Sequence, residues 1–535
     1  MKRYITRAAG AVLVALLFDT ATQIVNPAFI QSATGAESST VVSKAREVVS
    51  LKEFGAVCDG STDDTKNIQA ALESGARRVN AQAGTCNVGT LSIPSNVELR
   101  GEGWATVFLL KNNVNGPVVQ AGDGISGVTL RDFKISANSA KQSTNGHSTG
   151  VLVHQNASHV QIDNVWVDDV ADWGFAIMGS TVILRRAKAT NITGAKGANA
   201  VRAGVLVGSG APPLSASKVT IDDSEVSNCS VPYTDGFILE HGADVVVTNS
   251  RALNCSYSGF KVKTDRTLIQ NNLATGNLTG FQVQGPAKYV TFNGNTASRN
   301  RGPGFQFNQA SSSDSGRAWN IIGNKSVDNG QDSSAGTRYG FNFDNGPGAH
   351  VYQVNIVGNQ AMDTSRQAHQ SRGFSFGTNG SYHRVSLIGN KASGAILDWY
   401  AIASLDTSTF AQWGNSFAKG GPLAHDTNDG TLKVSTLKWN GASAGSLGIR
   451  VNMAGDGERT YFIFLSSQVS SANNTISAVY MVRCGYDGNN FIATKISGDQ
   501  GARPSSTYTF SQVNQTLYVQ APESGSHVAR VFVNQ

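Results

Sequence analysis

The sequence predicts an all-β protein whose main part is a solenoid of stacked coils. Glycine is abundant, at 58 of 535 residues, and charged residues make up only 15% of the chain. Short apolar runs alternate with Asn, Ser, Thr and Gly, as they do in turn-rich β-proteins. A Gly-Phe step also recurs at spacings of 23, 21, 24, 36 and 33 residues. Such a repeat indicates coils that stack and bury one continuous core.

The first 36 residues are predicted to be a bacterial secretory signal peptide. Lys2, Arg3 and Arg7 precede an apolar stretch at residues 8–18, which is shorter than the roughly 20 residues that span a bilayer. Small residues follow, and residues 34–36 are a candidate cleavage site; an uncleaved anchor is the alternative. We therefore expect a secreted or periplasmic protein with no membrane span after signal removal.

The charge of the chain does not predict nucleic acid as a partner. The formal net charge is +6, from 43 Lys and Arg against 37 Asp and Glu. The surplus is small and forms no basic runs, whereas nucleic-acid binding usually needs a clustered basic surface. The charge is compatible with an acidic partner of another kind.

Residues 51–72, "LKEFGAVCDGSTDDTKNIQAAL", predict a turn followed by a short helix. Asp63 and Asp64 stand before a helical pattern with apolar Ile68, Ala71 and Leu72. Carboxylates at a helix start accept free backbone N–H groups and oppose the helix dipole. We therefore interpret Asp63 and Asp64 as helix-capping residues and expect the chemistry to lie further along the chain.

Two cysteines flank this segment. Cys58 lies in the turn, and Cys86 lies in "QAGTCNVGTLSIP". An oxidising compartment allows them to form a disulfide that joins the first turn to the first full coil. Two buried thiols are the alternative.

The opening segment resembles a known superfamily. "FGAVCDGSTDDTKNIQAAL" and "QAGTCNVGTLSIPSNVELRGEGWATVFL" are similar to the start of the pectate-lyase-like superfamily, which includes rhamnogalacturonase and epimerase-like proteins and tailspike-type polysaccharide depolymerases. The resemblance implies a right-handed parallel β-helix over residues 50–420, with an N-terminal capping helix. It also implies an activity on polysaccharides.

Two strand types define the predicted coils. The Gly-Phe strands contain Gly236, Gly259, Gly280, Gly304, Gly340 and Gly373. Apolar strands between them end near Asn249, Asn272, Asn295, Asn324, Asn359 and Asn390. In each Gly-Phe strand the Phe and the residue two positions later are apolar, so both face the core with the period of two that strands have. We expect Phe260, Phe281 and Phe305 to stack inside.

The residues between these apolar positions form two predicted outward rows. The first row is Ile238, Lys261, Gln282, Gln306, Asn342 and Ser375, and the second is Glu240, Lys263, Gln284, Asn308, Asp344 and Gly377. Amide and charged side chains in adjacent rows suit the binding of sugar hydroxyls, although a simply solvated sheet is the alternative. Aromatic and Arg side chains nearby favour stacking on sugar rings and binding of carboxylates, and hence an acidic polysaccharide. The predicted substrate-binding residues are Trp173, Tyr257, Gln282, Gln284, Arg299, Arg301, Arg338, His369 and Arg372.

The predicted catalytic residues are Asp235, Glu240, Lys261 and Lys263, on two neighbouring coils. A plain surface ion pair between Glu240 and Lys263 is the alternative interpretation. In the functional one, a lysine acts as the base and a cation neutralises the carboxylate of a uronate, which permits β-elimination. A Ca²⁺ ion held by Asp235 and Glu240 is a candidate cofactor.

Other functions remain open from the sequence. Asp235 with Glu240 or Asp265 could supply the two carboxylates that a glycoside hydrolase needs. A non-catalytic carbohydrate-binding surface protein, an epimerase and an acyl-modifying enzyme are further alternatives.

The pattern changes after about residue 420. Gly-Phe steps cease, and six longer alternating strands follow between residues 425 and 535. They predict a small C-terminal β-sandwich. It resembles the terminal domains of tailspike-type depolymerases, which makes a homotrimer a candidate assembly.

Overall fold

The computed structural model describes residues 47–417, apart from residues 144–147, 195–201, 211–212, 230, 286, 309–314, 345–348, 378–380, 402–410 and 414. Outside this range it describes strands only, the first two being Ala28–Phe29 and Ser39–Thr40. Apart from Ala28–Phe29, the predicted signal peptide lies outside the described residues. Residues 418–430, where the sequence pattern changes, also lie outside them.

Residues 48–417 form a right-handed parallel β-helix, as the sequence predicts. Each complete coil contributes one strand to each of three parallel faces. The first face is a sheet of twelve strands that contains every Gly-Phe step. Its strands are Leu91–Ser92, Pro117–Ala121, Thr149–Val153, Trp173–Ile177, Arg202–Val207, Thr234–Leu239, Ser258–Val262, Thr279–Gln284, Phe305–Asn308, Tyr339–Phe343, Arg372–Phe376 and Leu397–Ala401.

The second face carries the apolar strands that precede each turn asparagine. Its strands are Val48–Ser50, Arg78–Asn80, Glu98–Arg100, Thr129–Ser136, Ser158–Val170, Ser180–Arg185, Ala216–Asp222, Gly242–Thr248, Asp265–Gln270, Lys288–Asn293, Ser315–Ile322, His350–Val357, Ser381–Ile388 and Ala411–Trp413. Thr129–Ser136 and Ser158–Val170 continue into the third face, because each pairs with strands of both.

The third face consists mostly of short strands. They are Asp59–Asp63, Gly84–Val88, Thr106–Leu110, Lys188–Ile192, Glu225–Cys229, Arg251–Cys255, Leu273–Thr275, Thr296–Ser298, Lys325–Val327, Gln360–Met362, Lys391–Ser393 and Ser416–Phe417. The sequence predicted two strands in each coil, so this face is a finding of the structure.

Stacked phenylalanines fill the core behind the first face, which confirms the predicted alternation. Phe260 and Phe281 stack with ring centroids 4.9 Å apart, and so do Phe281 and Phe305. All three are buried. The glycine before each Phe also faces inward: a Cβ at Gly236 would lie 2.9 Å from the Ala252 side chain and 2.5 Å from a backbone oxygen. The Gly-Phe step therefore combines a large core residue with a position where no side chain fits.

Two columns of buried asparagines hold the turns together. Asn272, Asn295, Asn324, Asn359 and Asn390 form the column between the second and third faces. In each, the side-chain oxygen accepts the backbone N–H of the matching residue one coil earlier, as Asn324 does from Asn295 at 2.9 Å. Asn249 is not part of this column, because Ser250 occupies the matching position and donates its N–H to Asn272. The apolar strand Gly242–Thr248 does end beside Asn249, as the sequence predicts.

The second asparagine column was not predicted from the sequence. Asn277, Asn300 and Asn329 lie in the turns between the third and first faces and are fully buried. Asn277 N–H donates to the side-chain oxygen of Asn300, and Asn300 N–H donates to that of Asn329. The side-chain amide of each also donates to a backbone carbonyl one coil earlier.

The capping helix spans Thr65–Leu72 and buries Ile68, Ala71 and Leu72, as predicted. The roles of the two aspartates differ from the prediction. Asp64 occupies the N-cap position but makes no side-chain bond to the helix. Its buried carboxylate accepts the backbone N–H groups of Val57 and Cys58 at 2.7 and 3.0 Å, so it holds the preceding turn.

Asp63 makes the side-chain contact to the helix start. Its carboxylate accepts the N–H of Thr65 at 3.1 Å and pairs with Lys111 at 2.7 Å. The hydrogen bond from Lys111 is the main reason that the pKa of Asp63 falls to about 2. Both aspartates therefore have structural partners, which agrees with placing the chemistry elsewhere.

The C-terminal strands form two antiparallel sheets. Leu437–Asn440, Arg459–Val469, Asn474–Cys484, Phe491–Ser497 and Ser526–Asn534 form a sheet of five, and Ser446–Arg450, Thr509–Val513 and Thr516–Gln520 form a sheet of three. The antiparallel strands agree with the predicted all-β C-terminal region. The packing of the two sheets face to face as a β-sandwich stays a prediction. In the described part of the chain, no helix has the length and apolar character needed to cross a membrane.

Replacing Asn324 by Ala tests the buried asparagine column. The change removes the amide that donates to the Phe292 carbonyl at 3.0 Å and the oxygen that serves Asn295. Because these partners stay buried and unpaired, we expect the free energy of unfolding to fall by about 2 to 4 kcal/mol. Chemical denaturation measures this loss.

Asn355→Ala is the matched control, because Asn355 is exposed on the outside of the second face. Its loss should lie within about 0.5 kcal/mol. Equal losses in the two variants would contradict a structural role for the column.

Candidate functional site

The structure brings the four predicted catalytic residues together on the first face. Asp235 and Glu240 belong to the strand Thr234–Leu239 and the residue after it. Lys261 lies in the strand Ser258–Val262, and Lys263 follows that strand as Glu240 follows its own. These strands are neighbours, with Phe237 opposite Phe260 and Ile238 opposite Lys261. We call Asp235, Glu240, Lys261 and Lys263 the charged cluster.

Asp235 and Lys261 form the buried half of the charged cluster. The Lys261 Nζ lies 3.9 Å from Asp235 Oδ2, with side-chain exposures of 12% and 3%. The backbone N–H of Ser258 donates to Asp235 Oδ1 at 2.7 Å. Burial raises the pKa of Asp235 to about 6, although the Lys261 charge and the Ser258 hydrogen bonds act against it. The carboxyl group therefore titrates close to neutral pH.

Glu240 and Lys263 form the more accessible half. Lys263 Nζ donates to Glu240 Oε1 at 2.6 Å, and the two side chains are 26% and 13% exposed. The predicted ion pair is therefore present. Among the described residues, Glu240 Oε2 has no hydrogen-bond partner. This oxygen is buried in the described structure, where it is an unpaired acceptor beside the Lys263 ion pair.

Two tyrosines border the charged cluster. Lys261 Nζ lies 5.2 Å from the ring centroid of Tyr257, and the rings of Tyr257 and Tyr233 are 6.1 Å apart. Burial, with a further contribution from Asp235, raises the pKa of Tyr257, so its hydroxyl stays protonated. Tyr233 is 70% exposed. An exposed ring beside charged groups is suited to stacking on a sugar.

The neighbouring coil supplies Gln282 and Gln284. The Ser258 hydroxyl donates to Gln282 Oε1 at 2.8 Å, and Gln282 is buried. Gln282 is therefore a hydrogen-bond partner of Ser258 and has little contact with solvent. Gln284 is partly exposed, while its Oε1 is buried and has no partner among the described residues. Gln284 fits the predicted sugar-binding role better than Gln282 does.

The first outward row is not polar along its whole length. Ile238 is buried in a cluster outside the sheet with Ala176 and Leu206, and Trp173 packs against that cluster. The row changes from apolar to polar between Ile238 and Lys261. Trp173 is therefore partly covered by side chains of its own chain, and the polar part of the predicted row begins at Lys261.

The predicted arginines fall into two groups. Arg301 reaches back and donates through Nη2 to the Ser256 carbonyl at 2.5 Å, next to Tyr257. Arg299 is exposed in the same turn. Arg301 therefore borders the charged cluster and holds one of its turns.

The other group lies further along the first face. Arg372 stacks on the ring of Tyr339 at 4.9 Å and donates to the Ser375 hydroxyl at 3.0 Å. Its strand is four strands from that of Lys261, which is roughly 19 Å at the usual strand spacing. His369 lies within 2.9 Å of the Ser365 hydroxyl, and the Arg338 carbonyl accepts the N–H of Ser371. The structure does not bring these three residues to the charged cluster.

The donor set of the charged cluster does not fit Ca²⁺. This ion needs six to eight oxygen ligands. The two carboxylates here are each paired with an ammonium group. In the described part of the chain, no third His, Cys, Asp or Glu converges with Asp235 and Glu240 on one point. We therefore assign no metal-dependent step to these residues.

Two disulfides are present among the described residues. The predicted bond between Cys58 and Cys86 is confirmed. A second bond joins Cys229 to Cys255, which the sequence analysis did not pair. These residues face each other on adjacent strands of the third face, in the coils of the charged cluster.

Comparisons with known proteins agree with the fold. Residues 214–392 match the family described as "Right handed beta helix region". Mannuronan C5-epimerase AlgE1 of Azotobacter vinelandii is 26% identical over 251 residues, which cover 42% of this chain and 15% of the epimerase. The surface adhesin PfbA of Streptococcus pneumoniae has a TM-score of 0.50 at 14% identity, over 72% of this chain and 98% of the adhesin. The A-module of Azotobacter vinelandii mannuronan C-5 epimerase AlgE6 has a TM-score of 0.46 at 18% identity, over 70% and 100% of the two chains.

These findings support the right-handed β-helix fold, and the predicted superfamily stays a prediction. The chain has a right-handed parallel β-helix fold. The match to the curated epimerase covers a small part of that relative, so it does not carry an activity to this chain.

Asp235 should make the folded protein less stable as the pH rises. Its pKa is about 6 in the folded protein against the usual 3.8, so the folded state binds the proton more tightly. Stability is therefore lost as the pH rises from 3.8 to about 6 and is level above that. Asp235→Asn should remove this decline, of up to about 3 kcal/mol, while keeping an oxygen for the Ser258 N–H. Chemical denaturation across this pH range measures it.

Asp223→Asn provides the control, because Asp223 is an exposed turn residue. This variant should show the same pH dependence as the unaltered protein. An Asp235→Asn variant that kept the full decline would show that Asp235 has no raised pKa.

Proposed function

We propose that this protein is an extracellular enzyme that acts on an acidic, uronate-containing polysaccharide, with β-elimination as its reaction. The observation that carries the proposal is the charged cluster, where two ammonium groups and two carboxylates meet on adjacent coils beside an exposed tyrosine. The class of substrate is also supported by the similarity to a mannuronan C5-epimerase. Two disulfides suit an extracellular protein.

The two lysines are suited to holding the carboxylate of a uronate. Lys261 and Lys263 present their ammonium groups from alternate outward positions of one coil. Neutralising that carboxylate makes the proton on C5 of the sugar acidic, because the developing negative charge spreads onto the carboxylate oxygens. The ion pair between Lys263 and Glu240 supports a cationic role for Lys263, in place of the base role suggested by the sequence.

Glu240 is the best-placed base. Its side chain is more accessible than that of Asp235, and its Oε2 is buried without a partner in the described structure. In the proposed reaction, the Glu240 carboxylate takes the C5 proton, the C4–C5 double bond forms, and the bond from C4 to the glycosidic oxygen breaks. The departing oxygen takes a proton from the Tyr257 hydroxyl or from water. Asp235 then acts by positioning Lys261.

The same first step also permits epimerisation, which is the second candidate. An epimerase returns a proton to the opposite face of C5 and leaves the glycosidic bond intact. The 26% identity to a mannuronan C5-epimerase is the observation that favours it. Homotrimeric assembly stays a prediction of the sequence.

Incubation with polymannuronate, polyguluronate and polygalacturonate in deuterated water tests the proposal. Elimination produces unsaturated uronates that absorb in the ultraviolet, and epimerisation introduces deuterium at C5 without shortening the polymer. New reducing ends without ultraviolet absorbance would mark hydrolysis and contradict the proposal. Binding without any change in the polymer would identify a carbohydrate-binding protein instead.

Lys263→Met should lower kcat/KM by about 100-fold or more, because it removes a cation that faces the developing charge. Arg266→Met is the matched control. It breaks an ion pair of the same length, 2.6 Å to Asp244, on the second face of the same coil. Equal activity in these two variants would move the site away from the charged cluster.

A further inference from the structure

A covalent bond joins the two coils of the charged cluster just before the turns that lead into its two strands. Cys229 ends the strand Glu225–Cys229, and Cys255 ends the next strand of the third face, Arg251–Cys255. The two residues pair in register and form a buried disulfide with Cα atoms 4.3 Å apart. The first turn leads to Asp235, and the second leads to Tyr257 and Ser258.

This disulfide continues the second asparagine column. Cys255 N–H donates to the side-chain oxygen of Asn277 at 2.8 Å, in the same way that Asn277 N–H donates to Asn300. Cys255 therefore occupies the position that an asparagine holds on the following coils. On those coils, amide hydrogen bonds fix the turn. On the coils of the charged cluster, a covalent bond takes their place.

Hydrogen bonds carry this restraint from the disulfide to the site. The Ser256 hydroxyl accepts the N–H of Thr234 at 3.0 Å and donates to the Val231 carbonyl. Tyr257 N–H donates to the Thr234 carbonyl at 3.0 Å. Ser258 N–H then donates to Asp235. The relative position of Asp235 and Tyr257, on either side of Lys261, depends on these two turns keeping their spacing.

We propose that the Cys229–Cys255 disulfide is a positioning element of the candidate site, which holds the turn before Asp235 against the turn that bears Tyr257. Its effect on turnover rests on the proposed function. Its effect on the surroundings of Asp235 does not, and it can be measured without a substrate.

The chain contains a matched control for this disulfide. Cys58–Cys86 closes a segment of 28 residues and Cys229–Cys255 one of 26, so their restraints on the unfolded chain are nearly equal. Only the second adjoins the charged cluster. Cys229→Ala/Cys255→Ala and Cys58→Ala/Cys86→Ala should therefore lose similar amounts of stability. Only the first should lower kcat, by about 10- to 100-fold with a smaller change in KM, because the reacting groups are displaced.

A rescue variant separates positioning from a general loss of packing. In Cys229→Ala/Cys255→Asn the introduced amide has the register needed to accept the N–H of residue 229 and to donate to the Val226 carbonyl. It would extend the Asn277 column by one coil. We expect this variant to recover most of the kcat lost in the double-alanine variant. If the double-alanine variant does not fold, two other measurements decide the question. One compares kcat of the Cys229→Ala/Cys255→Asn variant with that of the unaltered protein. The other measures kcat of the Cys58→Ala/Cys86→Ala variant before and after its remaining disulfide is reduced.

The pH dependence of unfolding gives a readout that does not need activity. The titratable groups that act on Asp235 are Lys261 and Glu240, together with Tyr257, and the uncharged Ala203 lies opposite it on the preceding strand. A loosened turn admits water to Asp235, so the loss of stability from pH 3.8 to about 6 should shrink in the double-alanine variant. It should persist in the Cys58→Ala/Cys86→Ala variant.

The outcomes are distinct. Unchanged kcat and an unchanged pH dependence in the Cys229→Ala/Cys255→Ala variant would overturn the proposal. If the unaltered protein processed no uronate polymer, the proposed function would fail, and the pH dependence alone would still decide whether the disulfide positions Asp235.

Discussion

The in-register stacking of one coil on the next is the constraint on which this structure depends. Parallel pairing places matching residues of neighbouring coils about 4.8 Å apart. Any side chain that is repeated from coil to coil therefore forms a column. Phenylalanines stack in the core, and asparagines bond to each other in the turns. The phenylalanine column gives each ring a packing partner in the core, and the asparagine column gives buried backbone N–H groups a hydrogen-bond acceptor.

The same stacking creates the candidate site. Residues 26 positions apart or fewer in the sequence become direct neighbours, so Lys261 meets Asp235 and Lys263 meets Glu240. Each carboxylate is largely shielded from solvent on the sheet and has one lysine ammonium group as its neighbour. For Asp235 the loss of solvent is the larger effect, and its pKa rises. A charge kept in such a position destabilises the fold, which is typical of residues retained for function.

Much of the fold follows from local sequence pattern. The Gly-Phe steps predicted the first face because they repeat with a large inward residue, and their period placed Glu240 beside Lys263. The third face was missed because a strand of three residues, such as Leu273–Thr275, is too short to show a period. Asp64 was assigned to the helix because its partners, Val57 and Cys58, lie in a turn whose shape the sequence does not reveal.

The remaining differences come from register and from long-range packing. Cys229 and Cys255 pair because their strands align within one residue, which no spacing in the sequence fixes. Ile238 shares a row with Lys261, but its burial depends on Leu206 from the preceding coil and Ala176 from the coil before that. The residue types of the charged cluster could be predicted from the sequence, whereas the burial of Asp235 could not.

The most direct test of this account is a crystal structure of the Glu240→Gln variant with a bound uronate oligosaccharide. The account predicts a sugar carboxylate within hydrogen-bonding distance of Lys261 and Lys263, with C5 facing the side chain at position 240 and a sugar ring against Tyr233. An oligosaccharide bound on another face of the β-helix, with the charged cluster unchanged, would contradict it.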